Sequence, residues 1–249
     1  MDLNKIKLVT IGGGELKNNE TLVIDKYIVE LAAKAHPKVL FIPTATSDSQ
    51  IYVDRFKAVY EKQLACQVDV LRLMDPDIYP KEIERSVFET DVIYVGGGDT
   101  GLMLGVWKNR GIDKLLLEAM DKTGIVFAGL SAGAICWFEE GLTDIKEPGK
   151  AVAYQKIRGL GILNGLFCPH FNVWGEGLAS PLSAIGIKSF IAADNGAALV
   201  LNNGGFRVIS ADSVNSAYRV TVEKNSLVKN DLRREKGKVK IQDLTPFPS

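Results

Sequence analysis

Apolar positions along this chain follow two alternating rhythms. Residues 6–11 form a short β-branched run that breaks at Gly12-Gly13-Gly14. From about residue 21 to 35, Ile24, Tyr27, Ile28, Leu31 and Ala32 recur at helical spacing. The same order then repeats. Residues 38–43 predict a buried strand, 44–49 a polar loop, and Ser49 a cap for a helix reaching about residue 63. Residues 67–71 predict a third strand, and Tyr79-Pro80 opens a helix to about residue 87 with proline in its first turn. Residues 91–95 predict a strand ending at Gly96-Gly97-Gly98, followed by helices over about 100–108 and 112–121. Residues 124–128 are the next strand, with a helix starting just after Ser131.

Strands alternating with helices of this length imply βαβ units, hence an α/β fold with a mostly parallel sheet and helices on both faces. Ligands of such sheets sit at the carboxyl ends of the strands. Three glycine-rich breaks fall at those ends: 12–14, 96–98, and Gly129-Leu-Ser-Ala-Gly133. Beyond about residue 195 the rhythm changes. Residues 197–201, 206–210, 217–223 and 238–241 predict short strands joined by polar turns such as Asn202-Asn203-Gly204-Gly205. This predicts a β-rich C-terminal extension, from about residue 200, of one domain spanning 1–249. No repeat, low-complexity tract or linker interrupts it, and the tail 245–249, with two prolines, is expected to be loose.

Composition narrows the function classes. Of 249 residues 46% are hydrophobic and 24% charged, and 30 basic residues balance 30 acidic ones. That excludes disorder of the whole chain and gives no reason to expect nucleic acid or a membrane surface as partner. Three scattered cysteines are too few for a disulfide framework or a four-thiolate metal site, and no His/Cys/Asp cluster has metal-ligand spacing, so no metal or other cofactor is expected. No apolar run approaches the roughly 20 residues that span a bilayer, and the first residues lack a long apolar core with a cleavage site, so a cytoplasmic protein is expected. Only two histidines, His36 and His170, are present for any imidazole chemistry.

The segment Ile125-Val-Phe-Ala-Gly129-Leu-Ser131-Ala-Gly133-Ala runs an apolar strand into Gly-x-Ser-x-Gly and then a helical pattern. That context makes the motif a nucleophile elbow, with the serine at the tip of a sharp turn and Ala132 as an oxyanion donor at the helix N-terminus. A serine hydroxyl needs a base. His36 falls at the amino end of its strand, on the wrong side of the sheet, which leaves His170 in Phe167-Cys-Pro-His170-Phe-Asn. For the acid that would hold His170, Asp144 ranks first and Asp194 second, with Glu139, Glu140 and Glu147 also available. A loop amide from Gly97 or Gly98 would complete the oxyanion hole with Ala132, and Asp99, Thr100 and Trp174 are the candidate substrate contacts. The loop lacks the Gly-Lys-Ser/Thr ending of a phosphate loop. Cys136 falls past the turn and Cys168 is on no elbow, so neither suits an amidotransferase-type nucleophile. Only 39 positions separate Ser131 from His170, which is short for an ordinary α/β-hydrolase.

At these residues the chain resembles the peptidase E and cyanophycinase family of serine peptidases. The matching pieces are Ile11-Gly-Gly-Gly-Glu15, Val95-Gly-Gly-Gly-Asp-Thr100, Gly129-Leu-Ser-Ala-Gly-Ala134, Pro169-His-Phe171 and Asp194-Asn-Gly-Ala-Ala198. The resemblance implies a flavodoxin-like sheet related to class I glutamine amidotransferases. It also implies Ser131 as nucleophile, His170 as base, an oxyanion hole from the 96–98 loop and Ala132, and Thr143-Asp144 as the acidic position. The expected partner is a small peptide substrate, and a homodimer is among the assemblies allowed. Two departures bear on specificity. Asp99 stands where the family commonly has Asn, and residues 171–181 contain no Arg or Lys to pair with an aspartyl substrate. Asp-X dipeptides are therefore not expected to be preferred, unless Lys146, Lys150, Lys156 or Arg158 supplies the charge. The alternative to a peptidase is a small-molecule binder or regulator on the same fold with a vestigial triad.

Overall fold

The computed structural model describes residues 2–122, 124–145, 153–224 and 226–234. Strands β1 (Lys7–Ile11), β2 (Lys38–Ile42), β3 (Gln67–Val70), β4 (Val92–Val95) and β5 (Val126–Leu130) alternate with helices. These are α1 (Leu22–Leu31), α2 (Gln50–Tyr60), α3 (Pro80–Phe88), α4 (Thr100–Arg110) and α5 (Ile112–Lys122). The chain continues through α6 (Ala132–Ile135), β6 (Phe138–Ile145), β7 (Ala153–Arg158), β8 (Leu163–Cys168), α7 (Phe171–Trp174) and α8 (Ala179–Ala184). Strands β9 (Ser189–Ala193), β10 (Ala197–Asn202), β11 (Gly205–Ser210), β12 (Ala217–Glu223) and β13 (Ser226–Asp231) follow.

The strands form two mixed sheets. The first has the order β11-β10-β1-β5-β4-β2-β3, parallel from β1 to β3, with β10 antiparallel to β1 and β11 to β10. Its inner strands are apolar on both faces because helices cover both. In β4, Val92 and Tyr94 join the cluster built with α1 and α2, whereas Ile93 and Val95 join the one built with α3, α4 and α5. The second sheet has the order β13-β12-β9-β8-β6-β7, with β6, β8 and β9 mutually parallel. Phe138, Phe167 and Ile191 on one of its faces belong to the core cluster that also holds β1, α3, α4 and α5. Its other face is covered by α7 and α8.

The α/β pattern read from the sequence is present, as is the β-rich C-terminal region. β10 and β11 add to the first sheet, and β12 and β13 to the second. The Asn203-Gly204 turn joins β10 to β11 with φ of 51° and 71°, the left-handed pair that a two-residue hairpin requires. The helix expected just after Ser131 is present but short. The helix after Ser131 lasts only four residues, and the chain then runs as strand through Phe138–Ile145. Buried aromatics fix this early exit: Trp137 packs edge-on against Phe127 at 5.6 Å, and Phe138 stacks on Phe167 at 4.7 Å. Residues 238–241 and 245–249 lie outside the described residues. No helix among the described residues is long and apolar enough to cross a membrane.

Candidate active site

Ser131 ends β5 and begins α6 with φ 54° and ψ −110°. A non-glycine residue pays on the order of 1–3 kcal/mol for such a conformation, so the surroundings must enforce it. They do so through close backbone approach. A Cβ on Gly129 would fall 1.9 Å from the Gly133 carbonyl oxygen, and one on Gly133 would fall 2.2 Å from that of Val95. The Ser131 N–H donates to the Ile11 carbonyl at 2.9 Å, which ties the turn to the end of β1.

His170 lies just beyond β8, at φ 51°, and its N–H donates to the Gly12 carbonyl at 3.0 Å. Its Nε2 is 2.7 Å from Ser131 Oγ, and its Nδ1 is 2.6 Å from Asn195 Oδ1. The two contacts fix the tautomer. To accept from the Ser131 hydroxyl, Nε2 must be unprotonated, so Nδ1 carries the proton and donates it to the Asn195 side-chain oxygen. Asn195 is held in turn, because its backbone N–H donates to Asn172 Oδ1 at 3.0 Å. His36 is far from this chemistry, with Nδ1 2.9 Å from the Ala65 carbonyl oxygen.

The group on His170 Nδ1 is therefore an amide, where the sequence had put the carboxylate of Asp144. Asp144 is carried on β6 opposite Tyr154 of β7, because the chain leaves α6 as strand rather than helix. It lines a cavity that also borders Ser131, His170 and Trp174. Asp194, the second choice, is buried and turned toward the second sheet. Its Oδ2 accepts from the Ser216 N–H at 3.0 Å and the Tyr218 hydroxyl at 2.9 Å. Burial raises its carboxyl above the usual range. Asp194 thus anchors the turn whose next residue orients the histidine. Glu139 accepts from the Gly165 N–H at 3.3 Å, and Glu140 pairs with Lys156 at 3.0 Å. Glu147 lies outside the described residues.

Asn195 was missed because an amide is not sought where an acid is expected. One signal for it was the first glycine run. A Cβ on Gly13 would fall 2.1 Å from Asn195 Oδ1 and 2.3 Å from His170 Nδ1. One on Gly12 would fall 2.3 Å from the Asp194 carbonyl oxygen. The run is bare because the histidine–asparagine pair rests on it.

Around Ser131 the remaining candidates divide. Ala132 opens α6, so its N–H has no intrahelical partner. The Gly98 N–H makes no hydrogen bond to the described residues, whereas the Gly97 N–H donates to the Tyr52 hydroxyl at 3.2 Å. Asp99 caps α4, its Oδ1 accepting from the Leu102 N–H at 2.9 Å, and it lines neither cavity beside the serine. Asp99 was expected as a substrate contact; the structure shows it in this capping role. Thr100 and Trp174 do line the cavity of about 500 Å³ that holds Asp144, and the Trp174 ring lies 5.9 Å from that of His170.

A second cavity of about 530 Å³ opens on the other side of Ser131 and His170, bordered by Glu15, Glu20, Tyr52 and Arg55. Arg55 forms no ion pair among the described residues. Hydrogen bonds from the Asn18 amide and the Glu15 N–H hold the Glu20 carboxyl below its usual range, so it is ionised near neutral pH. Of the cations expected from the sequence, Lys156 is spent on Glu140, Arg158 lies opposite Glu140 in the β6–β7 ladder, and Lys146 and Lys150 lie outside the described residues. All three cysteines are buried, and burial pushes the Cys136 and Cys168 thiols well up, which suits neither for nucleophilic work.

Residues 8–209 match the family model of peptidase family S51. An uncharacterized peptidase of Bacillus subtilis, YgaJ, is 40% identical over 222 residues, covering 87% of this chain and 92% of that protein. The uncharacterized peptidase Lmo0363 of Listeria monocytogenes is 31% identical over 138 residues, 54% of this chain and 65% of that protein. Among solved structures, a peptidase from an acI-B1 Actinobacterium superposes with TM-score 0.66 at 22% identity, covering 91% of this chain and 94% of that one. A putative peptidase E of Listeria monocytogenes gives 0.62 at 22%, covering 83% and 99%. At that identity the two structures speak for the fold.

Proposed function

The chain belongs to peptidase family S51, and from that premise we propose that it cleaves short peptides with Ser131 as nucleophile, His170 as general base and Asn195 as the residue that orients the imidazole. The observation that carries this reading is the unbroken contact from Ser131 Oγ through both nitrogens of His170 to Asn195 Oδ1, at 2.7 and 2.6 Å, on a serine held at a strained elbow.

The Ser131 oxygen attacks the scissile carbonyl carbon while its proton passes to His170 Nε2. The developing oxyanion is met by the N–H groups of Ala132 and Gly98. His170 then gives the proton to the leaving amine, and the C–N bond breaks. Water, deprotonated by the same imidazole, hydrolyses the acyl-enzyme. An amide at the third position fixes the tautomer, as in Cys-His-Asn sites, without adding negative charge beside the imidazolium. The chemistry calls on no metal or organic cofactor.

The same geometry supports a preference away from aspartyl substrates. Glu15 and Glu20 share one cavity with Arg55, and Asp144 lines the other. Among the described residues lining the two cavities, a substrate carboxylate would face Glu15, Glu20 and Asp144 against Arg55, and an unpaired carboxylate is costly to desolvate. Neutral or basic side chains are accepted at least as well as aspartate. The test of the mechanism is a fluorophosphonate probe together with a dipeptide-library hydrolysis screen. The wild type should label at Ser131 and hydrolyse, whereas Ser131→Ala and His170→Ala should remain folded and do neither. Undiminished turnover in His170→Ala would overturn it.

A further inference from the structure

The loop at residues 96–98 is clamped from three sides. On one side a Cβ at Gly97 would fall 2.9 Å from Leu130 Cδ2 and 3.4 Å from Ser131 Cβ, so Gly97 lies directly against the elbow. On the second, Gly98 has φ of 142° and its missing Cβ would fall 2.2 Å from the Ala45 carbonyl oxygen. The third side is a single residue of α2. The ring of Tyr52 would meet a Cβ on Gly96 at 2.8 Å, and its hydroxyl accepts the Gly97 N–H at 3.2 Å. That ring is itself fixed edge-on to Phe41 at 5.2 Å, and Phe41 stacks on Phe56 at 4.0 Å. A hydrophobic stack rooted in the core of the first sheet thus ends in a hydroxyl holding the catalytic loop.

We infer that Tyr52 is a positioning residue for the oxyanion hole: its hydroxyl takes the Gly97 N–H and locks the loop so that the next amide, Gly98, is the loop donor that works with Ala132. The inference rests on the reading of Ser131 as nucleophile. It divides two amides that the sequence could not tell apart. Gly97 N–H has an acceptor in the protein itself, whereas Gly98 N–H makes no hydrogen bond to the described residues and is available to a developing charge. The hydroxyl is suited to the task. Burial raises it to about 12, so it stays neutral across any working pH and never places a phenolate beside a forming oxyanion. Preorganisation of this kind acts on the transition state, because the donors need no reorientation when charge develops.

Tyr52→Phe removes the hydroxyl and keeps the ring that packs under Gly96. Its kcat and KM should be measured in the full-length protein on a dipeptide that the wild type cleaves. The number of competent sites is counted by fluorophosphonate labelling at Ser131. A peptide aldehyde, whose adduct with Ser131 places an oxygen in the hole, supplies the second readout. We expect kcat per labelled site to fall by about 10- to 100-fold, with KM near the wild-type value and aldehyde affinity weakened by a similar factor. An unchanged kcat per labelled site would overturn the inference, and so would a loss that only tracks the labelled fraction, since the hydroxyl would then merely support the fold. A raised kcat would overturn it in a different way, by showing that Gly97 N–H is itself the oxyanion donor and Tyr52 its competitor. If the wild type does not label at Ser131, the nucleophile assignment fails, and this inference with it.

Discussion

Asp25 sets up a pH dependence of stability that can be worked out in advance. It is fully buried on α1 beneath the first sheet, where its two oxygens accept hydrogen bonds from the Thr21 and Tyr60 hydroxyls, each at 2.8 Å. Burial raises its carboxyl from 3.8 to about 7, against the lowering effect of those two bonds. The folded value lies above the unfolded one. Below about pH 4 both states are protonated and the group costs nothing. Between about pH 4 and 7 the unfolded chain ionises while the folded one keeps its proton, so stability falls as pH rises. Above about 7 both are ionised and the loss is complete. Each pH unit in that window is worth about 1.4 kcal/mol, giving a total near 4 kcal/mol, of which about 3 falls between pH 5 and 8. Asp25→Asn retains polar partners for both hydroxyls and cannot ionise. Urea unfolding of both proteins at pH 5, 6.5 and 8 should show the variant gaining on the wild type by about 3 kcal/mol across that range. A difference between the two that does not change with pH would refute the reasoning, because Asp25 would then carry the same charge folded and unfolded.

Further outcomes follow from the site. Asn195→Ala should lower kcat by about 10² through loss of imidazole orientation, and Asp144→Asn should cost less; the reverse order in steady-state kinetics would return the third position to Asp144. Gly13→Ala drives a methyl group into Asn195 Oδ1 and His170 Nδ1 and should lower kcat/KM by about 10² while thermal unfolding stays cooperative; near-normal kinetics would show that the pair is not needed where it stands. At matched concentration, Leu-X and Arg-X substrates should be cleaved at least as fast as Asp-X. A strong preference for Asp-X would contradict this and point to Arg55, to be tested by Arg55→Ala.

Much of this was legible in the sequence because local rules and the final fold agreed. The continuous apolar runs within residues 38–42 and 92–95 are strands in the first sheet, and Gly-x-Ser-x-Gly is an elbow because a strand precedes it and a helical turn follows. What was not legible depended on distant partners. The pattern along residues 138–145 names no element by itself; in the structure Phe138 stacks on Phe167, and the strands β6, β8 and β9 assemble a second sheet. That sheet carries Asp144 on β6, and the group on His170 Nδ1 is an amide. Asp99 illustrates a different limit. Its residue type fits a substrate contact and a helix cap equally well, and only the hydrogen bond to the Leu102 N–H reveals the cap.

The order of the strands explains why three separated glycine runs serve one site. In the first sheet β1, β5 and β4 are adjacent and parallel, so their carboxyl ends bring together residues 12–14, 129–133 and 96–98. The middle strand ends at Ser131, the proposed nucleophile, and one neighbour at the loop that holds Gly98, the proposed oxyanion donor. Residues 12–14, at the end of the other neighbour, carry no side chain. They offer bare backbone, and onto that backbone the second sheet lays His170, from the end of β8, and Asn195, from the end of the adjacent parallel β9. The Gly12 carbonyl receives the His170 N–H at 3.0 Å, and the Gly13 carbonyl receives the Gly196 N–H at 2.9 Å, so the two sheets are fastened at the point where Ser131 and His170 meet. Ser131 and His170 therefore come from different sheets, and their 2.7 Å contact is set by how closely those sheets can approach. Any side chain larger than hydrogen at Gly12 or Gly13 would have to push them apart, so the contact between Ser131 and His170 depends on these glycines.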